Sequence, residues 1–204
     1  HWNPRTDPNL VSRFDSARLA RRAANKVALQ VEAGLPARPA VPLIGMVSRL
    51  DPQKGLAIAL PALREILKKD AAQFILLGAG DPKLEARFRK LGRDFKARAS
   101  VQLRFDAALA SRIYAGADII LVPSRYEPCG LTQMIAMRYG AVPVVRRTGG
   151  LADTVIDRRT PRRGTGFVFH DYNSKALLKA VRRAIRVFKQ PRQWRALQLR
   201  GMQQ

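Results

Sequence analysis

From residue 41 onward, short apolar runs alternate with amphipathic stretches, and that alternation sets the expected architecture. Leu43-Ile-Gly-Met-Val47, Phe74-Ile-Leu-Leu77, Val101-Gln-Leu-Arg104, Ile119-Ile-Leu-Val122, Val142-Pro-Val-Val145 and Gly166-Phe-Val-Phe169 are predicted as strands. The run Ile119–Val122 is apolar throughout, as a strand buried on both faces of a parallel sheet is. Helices are predicted between them: Leu56 to Lys68, with Pro61 tolerable near its first turns, and Pro82 to about Phe95, with proline well placed at the first helical position. A third, capped by Asp106, runs through Ala115, and a fourth, Met134 to Tyr139, is closed by Gly140. Ser174 is expected to cap a basic amphipathic helix to about Lys189, and Pro191 to start another. Strands alternating with helices through right-handed crossovers imply an α/β fold, a Rossmann-like parallel sheet flanked by helices.

Ahead of the sheet, residues 1–15 read as extended, with a turn at Asp7-Pro8. Ser16 is expected to cap a helical pattern that breaks near Asn25; a second stretch from Lys26 to Ala33 stops at Gly34. Three prolines between Leu35 and Pro42 mark a linker. The expected organisation is a lead-in and linker over 1–40, the sheet domain over 41–170, and closing helices over 171–204.

Composition narrows the class. A chain of 204 residues with 47% hydrophobic content can bury a real core, and no apolar run reaches the length of a membrane span. Its start, His1-Trp-Asn-Pro-Arg5, lacks both an initiator methionine and a signal-peptide core, so it reads as cut from something longer. One cysteine excludes an internal disulfide framework and fits a reducing cytoplasm. The net charge of +23 draws polyanions. The basic residues are nevertheless spread along the chain, from Arg18, Arg21, Arg22 and Lys26 to Arg182, Arg183 and Arg186, at spacings that suit solvated helix faces. No aromatic-interleaved basic loop accompanies them, so no dedicated nucleic-acid site is expected.

Candidate chemistry collects in the loops after the strands, where open α/β sheets bind ligands. Pro123-Ser-Arg-Tyr-Glu-Pro-Cys-Gly-Leu-Thr-Gln133 holds a carboxylate, Glu127, before a helix whose first N–H groups suit a phosphate. Ser48 to Gly55 carries Arg49 and Lys54, which are either surface charges or a diphosphate clamp, the second being favoured. Gly78-Ala-Gly80 lacks the third glycine of a dinucleotide fingerprint and needs no more than a tight turn. Phe105 fits either a core position or a face on which a base stacks. Cys129 reads as a small packed residue, not a nucleophile, and His1 and His170 are too far apart to suggest a metal site. These features stop at an α/β domain that binds a phosphorylated nucleotide.

Ser48-Arg-Leu-Asp-Pro-Gln-Lys-Gly-Leu56, Leu77-Gly-Ala-Gly-Asp-Pro82, Val122 to Met134 and Tyr139 to Thr154 closely resemble bacterial glycogen synthases and plant starch synthases. Trp2-Asn-Pro4 and Asp7 resemble the segment where that family enters its second domain. The resemblance implies the C-terminal, nucleotide-sugar-binding half of a GT-B glycosyltransferase. Such enzymes move glucose from ADP-glucose to the non-reducing end of an α-1,4-glucan with retention of configuration. It implies no metal and an acceptor groove in an N-terminal domain outside this chain; with no apolar run of membrane-spanning length, no membrane partner is expected. Arg49 and Lys54 would then hold the diphosphate, Glu127 would orient the glucose and Phe105 would pack on adenine. Ser48, Gly78, Gly80, Cys129, Gly130, Leu131, Thr132, Thr148, Gly149 and Gly150 would complete the nucleotide-sugar site. The wider GT-B pattern of two glutamates eight positions apart fails, because Ile135 stands at the second place. Two alternatives stay open: a GT-B transferase with a different nucleotide sugar, and a basic nucleic-acid-binding module.

Overall fold

The computed structural model describes residues 2–160 and 162–204. His1, set aside above as a metal ligand, lies outside the described residues. The chain runs α1 (Arg22–Glu32), β1 (Leu43–Val47), α2 (Leu56–Lys69), β2 (Gln73–Leu77), α3 (Pro82–Asp94) and β3 (Ala99–Gln102). It continues with α4 (Ala107–Gly116), β4 (Ile119–Val122), α5 (Thr132–Arg138), β5 (Val142–Arg146) and α6 (Gly149–Thr154). The last elements are β6 (Phe167–Phe169), α7 (Ser174–Phe188) and α8 (Pro191–Met202). The strands form one sheet in the order β3-β2-β1-β4-β5-β6, every pairing parallel. The chain reverses its direction of winding between β1 and β4, which leaves a crevice at their C-terminal ends.

The strands sort their side chains by the two-residue period. Ile44, Met46, Phe74, Leu76, Ile119, Leu121, Val142 and Val144 face one layer with α2, α7 and Trp194 of α8. Leu43, Ile75, Leu77, Ile120, Val122 and Val145 face the other, with α1, α4 and α5. Covering both faces is what allows apolar runs without polar alternation.

Several local expectations need correction. Ser16 is not a helix cap: a 3-10 turn, Leu19–Arg21, leads straight into α1. The helix passes through Asn25 unbroken, because that side chain is turned aside to Ser12, accepting from its N–H at 3.1 Å and donating to its carbonyl at 2.7 Å. Asn173, not Ser174, caps α7 by accepting from the Ala176 N–H. β3 begins at Ala99, two residues before the expected start, and Thr148-Gly-Gly-Leu151, whose glycine pair reads as a turn in the sequence, opens the short helix α6.

Arg22 and Lys26, read above as part of a solvated face, are buried. Lys26 Nζ lies 2.6 Å from Asp118 Oδ2 and donates to the carbonyls of Pro39 and Val41. Arg22 reaches Asp118 Oδ1 at 3.8 Å and the carbonyls of Tyr139, Tyr114 and Ala117. Asp118 also accepts from the Leu43 N–H at 2.8 Å. This cluster fastens the lead-in helix and linker to the N-terminal ends of β1 and β4. Asp7, from the same lead-in, accepts from the Tyr139 hydroxyl at 2.7 Å.

Asp7 and a second carboxylate, Asp157, which accepts from the Val168 N–H at 2.8 Å and pairs with Arg183 of α7 at 3.1 Å, make folding sensitive to acid. Burial works against the charge of Asp157, yet the N–H groups of Arg159 and Val168 and the Arg183 guanidinium outweigh it and bring it down to about 2. Burial likewise opposes Asp7, and hydrogen bonds from Tyr139 and Asn9 hold it below the ordinary range. A depressed folded-state pKa gives stability that is present above the unfolded value and lost as pH falls through the folded one. Melting temperature is therefore expected to drop between about pH 4 and pH 2, with Asp157 contributing at most about 2 kcal/mol. An Asp157→Asn protein melting as steeply with acid as the wild type would reassign the effect.

Candidate functional site

Backbone contacts stitch the loops after β1, β2 and β4 into one surface. The Ser48 N–H donates to Leu77 O at 3.1 Å, and Leu50 N–H to Ala79 O at 2.9 Å, zipping the first loop to the second. A Cβ on Gly78 would stand 1.8 Å from the Ser48 carbonyl oxygen, and one on Gly80 would stand 2.4 Å from that of Leu50. Asp51 accepts from Gln53 N–H at 2.8 Å and caps the one-turn helix Pro52–Lys54. Gly55 follows with φ of +75°, where a Cβ would also sit 1.9 Å from Pro123 O, so glycine alone lets this loop close on the end of β4. The Arg125 N–H then donates to Gln53 O at 2.8 Å.

That stitching brings together charges separated by 73 positions in the chain. Lys54 Nζ lies 2.8 Å from Glu127 Oε2 and 3.1 Å from Oε1. Their side chains are 21% and 13% exposed, so the pair sits in a recess and not in bulk solvent. Ser124, fully buried, donates its hydroxyl to Glu127 Oε2 at 2.9 Å. Arg49 is 78% exposed and leans on Asp51 at 3.5 Å, leaving most of its guanidinium toward solvent. Arg49, Lys54, Ser124, Glu127 and Thr132 line a cavity of about 160 Å³ between the ends of β1 and β4. It stands at the crevice that the strand order creates.

Ser48, Arg49 and Thr132 also border a second, more apolar groove of about 420 Å³. Its walls are Gly78 and Ala79 after β2, Arg104 and Phe105 before α4, and Tyr114 and Trp2. Phe105 is 92% exposed, which removes the core reading. Tyr114 is buried beneath, its hydroxyl pushed up to about 12 by burial. Trp2 stands edge-on to it at 5.4 Å between ring centroids.

Beyond Glu127 the loop is held by α6. Gly150 N–H donates to the carbonyls of Glu127 and Pro128 at 3.0 and 3.1 Å. A Cβ on Gly149, whose φ is +43°, would stand 2.1 Å from Glu127 O, and one on Gly150 would stand 1.9 Å from Cys129 O. These two glycines thus seat the carboxylate-bearing loop, with Thr148 before them at the start of α6. Gly130 turns the chain at φ of +69°, and Leu131 and Thr132 open α5. The N–H groups of Gly130, Leu131 and Thr132 have no protein acceptor among the described residues. Cys129 is exposed, against the expectation of a packed residue; it is its backbone carbonyl that lies against Gly150 of α6.

Ser124, Tyr114 and Arg146 were given no role by the sequence. Arg146 Nη1 donates to the carbonyls of Arg125 and Ser124, at 2.5 and 3.5 Å, and its guanidinium lies 5.4 Å from the Tyr172 ring. Ser124 was within sight, three residues before Glu127 in an otherwise fixed turn; the others come from distant positions and leave no local signal. Among the described residues, no group of three or more His, Cys, Asp or Glu stands ready for a metal, and no helix is long and apolar enough to cross a membrane.

The arrangement can hold a diphosphate against Arg49 and Lys54, a flat ring in the aromatic groove, and hydroxyls against Glu127. The sequence pattern of the glycosyl transferases group 1 matches residues 32–196. The chain is 52% identical over 201 residues to a glycogen synthase of Anaeromyxobacter sp. (strain Fw109-5), covering 98% of this chain and 42% of that protein. The catalytic domain of starch synthase IV from Arabidopsis thaliana, bound to ADP and acarbose, superposes with a TM-score of 0.92 at 38% identity, over 98% of this chain and 42% of its own. A sucrose-phosphate synthase from Thermosynechococcus elongatus superposes with a TM-score of 0.67 at 27% identity, over 86% and 42%. The chain thus spans well under half the length of the curated relative and of each solved chain.

Proposed function

Because the chain belongs to the glycosyl transferases group 1 family, we propose that it is the nucleotide-sugar-binding half of a glycogen synthase. The longer protein would move glucose from ADP-glucose to the non-reducing end of an α-1,4-glucan, with retention, in the cytoplasm. The observation that carries this reading is the convergence of Arg49, Lys54 and Glu127 in a cavity that opens into an aromatic-walled groove. The groove takes adenine, with Phe105 free to lie on the base. The exposed fork of Arg49 and the ammonium of Lys54 take the diphosphate and supply the charge that a metal would otherwise bring. The free N–H groups of Gly130 to Thr132 add donors for the phosphates, and Glu127 orients the glucosyl unit. ADP in the related starch synthase and the similarity to a glycogen synthase support the choice of donor and acceptor.

Calorimetric titration of the chain with ADP, ADP-glucose and UDP-glucose tests the reading. The adenine ligands are expected to bind better, with affinity falling as salt rises, because Arg49 is exposed to screening at a Debye length of about 8 Å. Phe105→Ala should weaken ADP binding by roughly 1 kcal/mol, about fivefold. Preference for UDP-glucose would point to a different donor. The chain by itself should not elongate a glucan, since transfer needs donor and acceptor held together. Measurable elongation would defeat the assignment to one half of the cleft.

A further inference from the structure

Two groups with opposite tasks in this reading are bound to each other. Lys54 Nζ contacts both carboxylate oxygens of Glu127, at 2.8 and 3.1 Å. A diphosphate drawn to Lys54 competes with Glu127 for the same ammonium donors. A carboxylate in a recess that loses its cation depends on whatever other donors reach it. Ser124 is such a donor: its hydroxyl is 2.9 Å from Glu127 Oε2, on a fully buried residue. The Arg125 N–H bond to Gln53 O and the Arg146 bonds to the Ser124 and Arg125 carbonyls hold that stretch from both sides. The other charged groups near Glu127 are already placed. Arg49 lines the same cavity but leans outward on Asp51, Arg125 lies 6.0 Å from the Tyr172 ring, and Arg146 is spent on the loop backbone.

We propose, resting on the donor-site reading above, that donor binding transfers Lys54 from Glu127 to the diphosphate. Ser124 is then the positioning residue that holds the freed carboxylate against the glucosyl unit. Ser124 touches no reacting atom in this scheme and acts through Glu127. The exchange makes the carboxylate available only when a diphosphate occupies the site, and it couples recognition of the two ends of the donor.

The test is calorimetry with ADP and ADP-glucose on the wild-type chain, Ser124→Ala, Glu127→Ala and the double variant, each checked by thermal melting. The informative quantity is the affinity ratio of ADP-glucose to ADP, which isolates the glucosyl contact. Ser124→Ala is expected to lower that ratio about tenfold, as for a hydrogen bond to a charged acceptor, with a smaller change for ADP. The same substitution in the Glu127→Ala background should not lower it further. Glu127→Ala should bind ADP more tightly than the wild type, because Lys54 is no longer shared. Equal losses for both ligands, or an equal loss in the Glu127→Ala background, would make Ser124 a support of the loop alone and overturn the inference. So would ADP affinity that falls or stays unchanged in Glu127→Ala, or a wild-type ratio near one. A wild-type chain that binds neither ligand defeats the donor reading itself, and this inference with it.

Discussion

For the glucosyl transfer proposed above, Lys54→Ala is expected to lower the turnover of the proposed two-domain protein by about two to three powers of ten, with a smaller change in donor KM. Negative charge builds on the departing diphosphate as the glycosidic bond breaks, so a cation placed there interacts more strongly with the transition state than with the bound donor. Lys54 is in a recess, 21% exposed, where water screens it less than it screens Arg49. Arg49→Ala should act in the same direction. Glu127 has the wrong sign to meet a leaving phosphate, so Glu127→Gln separates the roles: turnover should fall while ADP binding is retained or improved. Steady-state kinetics on the three variants, beside ADP affinity, checks this. A Lys54→Ala enzyme altered in KM alone would make the lysine a binding device, and near-normal turnover in Glu127→Gln would show its charge to be dispensable.

Asp118→Ala should destabilise the fold by about 3–5 kcal/mol, because removing one member of a buried ion cluster strands the others. Asp118 is buried with Lys26 at 2.6 Å and Arg22 at 3.8 Å, and it accepts from the Leu43 N–H that starts β1. Burial already pulls the Arg22 guanidinium down to about 10 and lowers the Lys26 ammonium, with Asp118 opposing both shifts. Without the carboxylate, the backbone carbonyls of Tyr139, Tyr114, Ala117, Pro39 and Val41 remain as partners, and none of them carries a full negative charge. Thermal unfolding should register a drop of roughly 10 °C for a chain of this size. Since the folded-state pKa of Lys26 lies below its unfolded value, the variant's stability should recover in part as pH rises toward the ordinary lysine range. A variant within about 1 kcal/mol of the wild type would show that the carbonyls suffice. The lead-in helix is the element expected to loosen first, as α1 is held by Arg22 and Lys26.

The pattern of apolar runs determined the α/β class, the six strands and most helix positions, because each depends on neighbours a few residues apart. Asp106 is the helix cap its sequence context implied, accepting from Leu109 N–H at 2.8 Å, since capping is local chemistry. Arg49, Lys54 and Glu127 were legible as a set only through the loops that hold them, and their meeting required the strand order, which places β1 beside β4. Tertiary structure decided what composition could not. Arg22 and Lys26 look like other basic helix residues in the sequence, yet they are buried because Asp118, far along the chain, supplies the compensating charge. Phe105 could be read either way until its neighbours were known, and it lies outside the core because the chain turns into α4 immediately after it. The pairing of Lys54 with Glu127 belongs to the same class. Periodicity and capping report the chain's own neighbourhood, whereas the state of a charge is set by whichever groups the fold brings within a few ångströms of it.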